Sequence, residues 1–207
     1  MPRDGMSVTA DAMWGQRCVA YNVQAGFSED VLDHFGALQK NLTRVVPNPL
    51  HVCPRHSLHV SIYALVPVRW PDSGKDEYWS EIAEKSIEAL RCLCRRERFT
   101  LQFNELRVTP AAIVAVAADI SNTVATFREC FDRILGPWSL PRPGYTMIHT
   151  TLARFERNGF LSQSILDRVS SETIRVESAI TEIDIVHERT YPALHADRIA
   201  TFGLSSN

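Results

Sequence analysis

The sequence lacks a surplus of charge of either sign, and it lacks any long apolar run. Its 22 basic and 24 acidic residues give a formal net charge of −2, and the sequence pI is about 6.4. Proteins that hold long duplex nucleic acid normally carry a strong basic excess, so this balance argues against such a function. No apolar stretch approaches the length of a membrane-spanning helix. The composition is compatible with a soluble protein that acts on a small or short anionic substrate.

Cysteine is also scarce, with 5 residues at irregular spacing. An odd number without paired spacing favours reduced thiols over a disulfide framework, and a cytoplasmic localisation is therefore expected. Residues 1–15 include Asp4 and Asp11 and no apolar core of signal-peptide length. We expect this segment to be a flexible leader, followed by a single two-lobed domain over residues 16–207.

Hydrophobic periodicity predicts an alternation of strands and helices. Strands are predicted at 17–23, 58–66, 100–108, 113–118, 146–155, 175–179, 182–188 and 198–204, and helices at 28–42, 76–97, 121–135 and 162–169. These strands lack the continuous apolar character of a doubly wound parallel sheet. The pattern favours an α+β fold with two mixed or antiparallel sheets and flanking helices.

Two predicted strands each carry a histidine followed two residues later by a hydroxyl residue. In SLHVSIYAL the pair is His59 and Ser61, and in MIHTTLARF it is His149 and Thr151. Residues i and i+2 of a strand point to the same face, so each pair presents an imidazole and a hydroxyl together. Both strands follow a helix and a proline-rich connector, which suggests two lobes around a cleft. Two core histidines, each hydrogen-bonded by its neighbour, are the alternative.

The same strand parity provides further candidates. Tyr63 falls on the face of His59, and Tyr145 falls on the face of His149 if the strand begins that early; either could stack on a base or bind phosphate. For both residues, packing into an aromatic core is the favoured interpretation, and contact with a substrate is the alternative. Arg154 falls on the opposite face from His149 unless a bulge intervenes. Tyr191, in a turn after a predicted strand, is a candidate for the border of the cleft.

A metal site is one interpretation of HVCPRHSLH, residues 51–59, which contains three histidines and a cysteine. Structural zinc usually needs a second group of ligands with its own spacing. The other close cysteine pair, Cys92 and Cys94, lies in a predicted helix that separates the side chains around its axis. We therefore predict no metal and no cofactor. The chain also has no G-x-x-x-x-G-K-[ST] loop, so ATP-dependent ligation is not indicated.

Two short motifs resemble those of a known family. HVSI at residues 59–62 and HTTLARF at residues 149–155 resemble the His-x-Thr/Ser-aliphatic motifs of the two-histidine (2H) phosphoesterases. This superfamily includes the RNA 2′,5′-ligases and cyclic phosphodiesterases, and Arg154 recurs in its second motif. The C-terminal IDIVHERTYPALHADRIATFGL is similar to the family's last strand pair, so the resemblance spans roughly residues 17–204. It implies a bilobal fold with one histidine strand from each lobe facing a shared cleft.

The resemblance also implies a function. His59 and His149 would act as acid and base without a metal, while Ser61 and Thr151 would donate hydrogen bonds to phosphate oxygens. The implied substrate is a small nucleotide or an RNA terminus, such as a 2′,3′-cyclic phosphate. A monomer with no membrane partner is expected. The alternative is a non-catalytic nucleotide- or RNA-binding module of the same fold, which would be expected to have lost a catalytic histidine.

Overall fold

The computed structural model describes residues 4–95, 98–135, 145 and 147–205. In this part of the chain the strands are β1 (Gly5–Val8), β2 (Arg17–Ala25), β3 (Leu50–Val52), β4 (Val60–Val66), β5 (Phe99–Val108), β6 (Ala112–Asp119), β7 (Ile148–Phe155), β8 (Gly159–Ser162), β9 (Val176–Ile180), β10 (Glu182–Thr190) and β11 (His195–Gly203). The helices are α1 (Glu29–Val45), α2 (Lys75–Leu93), α3 (Thr123–Leu135) and α4 (Gln163–Ser171), and a short 3₁₀ turn spans Arg55–Ser57.

Two antiparallel sheets form the two lobes of the molecule. One has the strand order β11-β10-β2-β4, and the other has the order β3-β7-β6-β5-β9. Helices α2 and α3 contact the four-stranded sheet, whereas α1 and α4 contact the five-stranded sheet. The edge strand β4 lies against β7 of the other sheet. The predicted α+β fold with two lobes is confirmed, and the two histidine strands meet where the lobes meet.

Helix α1 shows how sequence pattern and packing agree in this fold. Its first turn carries Glu29 and Asp30, which suit the positive end of the helix dipole. Its apolar stripe includes Phe35, which is fully buried and packs edge-to-face against Phe103 of β5 at a centroid distance of 5.1 Å. The helix thereby covers the five-stranded sheet.

The segment predicted as a flexible leader is instead part of the fold over residues 5–16, which we call the N-terminal strap. Strand β1 pairs antiparallel with β8, and Val8 is only 2% exposed. The amide of Asp11 donates to the carbonyl of Phe155 at 2.9 Å, and the amide of Tyr191 donates to the carbonyl of Gln16 at 3.0 Å. The strap is therefore bonded to both lobes. The prediction was wrong because these contacts join residues remote in sequence and leave no local periodicity.

Two further short strands, β3 and β8, fall outside the strands predicted from the sequence. Strand β3 is added to the edge of the five-stranded sheet by pairing with β7, and β8 forms a separate two-stranded sheet with β1. Within the residues described, none of the helices is both long enough and apolar enough to cross a membrane.

Candidate active site

One cavity of about 280 Å³ lies between the two lobes. His59 and Ser61 line it from the side of β4, and His149 and Thr151 line it from the side of β7. The remaining lining residues are Asn22, Cys53, Ser57, Ala64, Pro67, Val68, Arg69, Arg154, Glu188, Tyr191, Pro192 and Ala193. The two histidine–hydroxyl pairs thus share one cleft, and neither imidazole is sealed in a separate core.

His59 is held at both ring nitrogens. Its Nδ1 lies 2.8 Å from the carbonyl oxygen of Ser57, and its Nε2 lies 3.1 Å from Oγ of Ser61. A carbonyl oxygen only accepts, so Nδ1 carries the proton in the neutral ring. Nε2 is then an acceptor for the hydroxyl of Ser61. This arrangement fixes the tautomer that a general base acting through Nε2 requires.

His149 is held by the same kind of backbone hydrogen bond as His59. Its ring is hydrogen-bonded to the backbone of Met147, two residues earlier, as the ring of His59 is bonded to Ser57. Both side chains are half-buried, so each ring has one edge fixed by the chain and another toward the cavity. In both lobes, a hydrogen bond to the backbone two residues earlier therefore orients the histidine ring.

The environment disfavours the charged form of both imidazoles. Burial is the main cause that lowers the pKa of His59, and the nearby Arg154 guanidinium lowers it further. Burial also lowers the pKa of His149, with additional contributions from His59, Arg154 and Arg128. Because charge on one histidine disfavours charge on the other, the pair is biased against holding two protons at once.

A bulge in β4 determines the side of the strand on which the Tyr63 side chain lies. The register with β2 shifts between Ser61 and Tyr63, where Ile62 is the extra residue. Tyr63 therefore leaves the face of Ser61 and is fully buried, donating to Asp132 at 2.6 Å and stacking on Phe131. The shared cleft face that strand parity predicted is wrong, because strict alternation ends at this bulge, and Tyr63 has the aromatic packing that was the favoured interpretation.

Tyr145 also lies away from the cavity lining. Its hydroxyl accepts a hydrogen bond from the amide of Ala64, and the guanidinium carbon of Arg128 lies 4.2 Å from its ring centroid. It thus contacts β4 and α3 and does not face the cleft with His149, a placement that was expected only if the strand began at Tyr145. Strand β7 begins only at Ile148, so strand parity does not extend to Tyr145. Thr146, the predicted start of that strand, lies outside the described residues.

A second bulge brings Arg154 into the cavity. The register of β7 with β6 shifts between Thr151 and Ala153, so Leu152 is the extra residue. Thr151 and Arg154 consequently both line the cleft. Gln39 of α1 donates to the carbonyl of Leu152 at 2.9 Å, which satisfies a backbone group at the bulge. This is the intervening bulge on which the sequence prediction for Arg154 depended.

The Arg154 side chain is held from two directions. Its Nη1 donates to Oδ2 of Asp11 at 2.8 Å, and its guanidinium carbon lies 4.9 Å from the ring centroid of Tyr191. Its buried Nε has no hydrogen-bond partner among the described residues. Tyr191 itself lines the cavity. The N-terminal strap thus supplies the carboxylate that orients this cation.

Glu188 is a cavity residue that the sequence did not single out. It is 6% exposed and accepts hydrogen bonds from Nδ2 of Asn22 at 3.1 Å and from the amide of Ala193 at 2.7 Å. Burial raises its pKa, while these hydrogen bonds and Arg154 oppose that effect. No sequence signal separates it from the other polar residues of HERT. Its place in the cavity wall becomes evident only in the folded chain, where the turn after β10 brings the amide of Ala193 to its carboxylate.

The histidine-rich segment 51–59 diverges in space. His51 stacks on Trp14 at a centroid distance of 4.7 Å, and Nε2 of His56 lies 3.2 Å from the carbonyl oxygen of Leu194. Cys53 is in the cavity wall, where burial raises the pKa of its thiol to about 12. In the described parts of the chain, no three His, Cys, Asp or Glu side chains are grouped to hold a metal ion.

Solved structures superpose on most of this chain. Escherichia coli LigT complexed with 3′-AMP superposes with a TM-score of 0.55, covering 92% of this chain and 100% of that chain at 12% identity. The chain has the LigT fold. TT0787 of Thermus thermophilus gives a TM-score of 0.66 over 91% of this chain and 99% of its own, at 17% identity. A protein described as a phosphoesterase gives 0.58 over 91% and 99%, at 12% identity.

LigT has also been solved in complexes with phosphate, ATP and NADP+. No protein-family model matches this chain, nor does any curated protein sequence. The similarity to LigT is therefore evident from the superposition of the structures and not from the comparisons of sequence.

Proposed function

We propose that the protein is a phosphoesterase of the two-histidine type, which hydrolyses a 2′,3′-cyclic phosphate or a related nucleotide or RNA phosphodiester. The observation that carries this proposal is that His59 and His149, from separate sheets, line one cavity together with Ser61 and Thr151. The LigT fold supports it, because LigT has been solved with 3′-AMP and with phosphate. Both of these ligands contain the group that the cavity would hold.

The reaction requires one base and one acid on opposite sides of a phosphorus atom. A neutral imidazole accepts a proton from water as the water oxygen bonds to phosphorus. The protonated partner gives its proton to the ribose oxygen as the phosphorus–oxygen bond breaks. The repulsion between charges on His59 and His149 favours one proton over two protons on the pair. The singly protonated pair contains one base and one acid.

The hydroxyls would bind the non-bridging oxygens. In the resting protein the Ser61 hydroxyl lies 3.1 Å from Nε2 of His59. When a phosphate anion enters, this hydroxyl turns to donate to a phosphate oxygen and frees Nε2 for proton transfer. Thr151 acts in the same way from β7, and the charge of Arg154 stabilises the anion. Tyr191 borders the substrate through its contact with Arg154.

A nucleotide-binding module without turnover is the second candidate. A protein that only binds would need donors for the phosphate but would not need two anchored imidazoles. Here both rings are anchored to backbone groups two residues earlier, which fixes their orientation toward the cavity. This duplicated anchor favours proton transfer over simple binding.

The test is hydrolysis of a 2′,3′-cyclic nucleotide, with identification of the monophosphate product, in the presence and absence of EDTA. We expect turnover by the wild-type protein that is unaffected by EDTA. A His59→Ala/His149→Ala double variant should bind the monophosphate product without turnover. His56→Ala is the matched control, because His56 is exposed and lies outside the cavity lining. Product binding without wild-type turnover would favour the binding module, and loss of turnover with EDTA would favour a metal.

A further inference from the structure

The N-terminal strap spans the two lobes beside the candidate active site. The amide of Asp11 donates to the carbonyl of Phe155, the last residue of β7 in the five-stranded sheet, at 2.9 Å. Farther along the strap, the amide of Gly15 donates at 2.8 Å to the carbonyl of Tyr191, which directly follows β10 of the four-stranded sheet. The strap therefore connects the backbone segments that carry Arg154 and Tyr191 into the cavity wall.

Both oxygens of the Asp11 carboxylate accept hydrogen bonds. Oδ2 accepts from Nη1 of Arg154 at 2.8 Å, and Oδ1 accepts from the amide of Met13 at 3.1 Å. The side chain of Asp11 is 9% exposed and that of Arg154 is 16% exposed. In the described part of the chain, Asp11 is the only carboxylate within ion-pair distance of Arg154. When a charged pair has so little contact with water, removing one partner leaves the other charge without compensation.

The guanidinium of Arg154 still has donors for a ligand. Asp11 accepts from Nη1, and among the described residues the buried Nε has no hydrogen-bond partner. The ring of Tyr191, whose centroid lies 4.9 Å from the guanidinium carbon, restricts movement on one face. An arginine side chain has many rotamers, and fixing it in advance removes a cost that phosphate binding would otherwise meet.

We infer that Asp11 is a positioning residue for phosphate binding: it holds the guanidinium of Arg154 in the cavity, so the phosphate site is complete only with the N-terminal strap in place. Asp11 acts through Arg154, because it does not itself line the cavity. This inference rests on the proposed function, which assigns a phosphate to this cavity.

Asp11 has two opposed effects on an anion in the cavity. Its negative charge offsets part of the charge of Arg154, which by itself weakens phosphate binding. Its hydrogen bond fixes the guanidinium, which strengthens phosphate binding. Orientation outweighs the offset of charge, because a buried arginine that loses its carboxylate gains solvation by turning out of the cavity wall.

The experiment measures the binding of 3′-AMP by calorimetry, so it does not depend on turnover. Asp11→Ala and Arg154→Gln should each weaken binding on the order of tenfold, the loss of about one hydrogen bond to a charged group. The double variant should bind no more weakly than Arg154→Gln alone, since Asp11 acts only through that side chain. Asp33→Ala is the matched control, because Asp33 is paired with Arg55 and neither residue lines the cavity.

Two conservative variants separate positioning from a general loss of structure. Asp11→Asn has the size of the native side chain but only one oxygen, so it cannot accept at both positions and should bind 3′-AMP as weakly as Asp11→Ala. Asp11→Glu keeps both acceptors and should retain part of the wild-type affinity. These variants keep the test informative if Asp11→Ala does not fold.

Wild-type affinity in both Asp11→Ala and Asp11→Asn would overturn the inference, and so would tighter binding, because Asp11 would then act mainly by offsetting charge. Losses that add in the double variant would show that Asp11 acts independently of Arg154 and would also overturn it. So would a wild-type protein that binds no 3′-AMP. A protein that binds 3′-AMP through Asp11 and Arg154 but does not hydrolyse a cyclic phosphate would retain this inference and refute the proposed function.

Discussion

The two histidine strands share a local motif but differ in their surroundings. Strand β4 is an edge strand of its sheet, whereas β7 is hydrogen-bonded on both sides, to β3 and β6. Each strand has one bulge near its histidine, but the bulges have opposite consequences. The bulge in β4 turns Tyr63 into the core, and the bulge in β7 turns Arg154 into the cleft.

This difference indicates that the two histidine strands contribute different groups to the cavity, although their motifs are similar. The β7 side contributes the cation, and Arg154 lowers the pKa of the histidine on each side. The β4 side contributes a histidine with a defined tautomer and a hydroxyl already in contact with it. Equivalent motifs therefore need not make equivalent contributions, and variants can separate them.

The largest effect is expected from removing either imidazole. His59→Ala and His149→Ala should each lower kcat by about 10²- to 10⁴-fold, because each removes one proton-transfer partner. The double variant should be little slower than either single variant, since one histidine has no function without the other. Steady-state rates on a 2′,3′-cyclic nucleotide measure this. A single variant with wild-type kcat would show that the two strands are not a catalytic pair.

The hydroxyls should have the next largest effect. Ser61→Ala and Thr151→Ala should each lower kcat by on the order of 10²-fold, equivalent to about 3 kcal/mol, by removing one donor to the developing charge. Thr150→Val is the matched control, because Thr150 is buried on the other face of β7 and its hydroxyl has no hydrogen-bond partner among the described residues. It should keep wild-type kcat. Wild-type kcat in both Ser61→Ala and Thr151→Ala would show that these hydroxyls do not contribute to turnover.

The pH profile separates the role of Arg154 from that of the histidines. Because the pKa values of His59 and His149 are both lowered, the profile of kcat/KM for the free enzyme should be bell-shaped with its maximum below about pH 6.5, the ordinary pKa of histidine. Arg154→Gln removes a positive charge that lowers both pKa values, so the maximum should move to higher pH.

The same Arg154→Gln variant should also have a lower kcat, since the phosphate loses a cation. Arg157→Gln, at an exposed position near the end of β7, provides the control. A maximum that stays at the same pH in Arg154→Gln would place Arg154 outside the electrostatic field of the pair.

The smallest effect is expected at the residue that the β4 bulge removes from the cleft. Tyr63→Phe loses the hydrogen bond to Asp132, so the free energy of unfolding should fall by about 1 kcal/mol. Its kcat should be unchanged, because Tyr63 is fully buried outside the cavity lining. Denaturant unfolding and steady-state kinetics on the same samples measure both quantities. A loss of kcat with an unchanged free energy of unfolding would show that Tyr63 contributes to the candidate active site.

The sequence by itself determined the order of the main strands and helices and the two histidine–hydroxyl pairs. These depend on local rules, since the period of an extended chain puts residues i and i+2 on one face and the period of a helix gathers its apolar stripe. The same patterns favoured an α+β fold with mixed or antiparallel sheets, and the placement of the two histidine strands suggested two lobes. The resemblance of HVSI and HTTLARF to a known pair of motifs then supplied the expected chemistry.

The tertiary structure alone decided which other side chains reach the cleft. A bulge depends on the register of a partner strand, and at Leu152 the carbonyl also accepts a hydrogen bond from Gln39 of a remote helix. The N-terminal strap depends on pairing with β8 and on the contact of Asp11 with Arg154. Such contacts join segments far apart in the chain, so no local period encodes them. For that reason Tyr63 left the site and Arg154 entered it, while Glu188 became visible only in the folded protein.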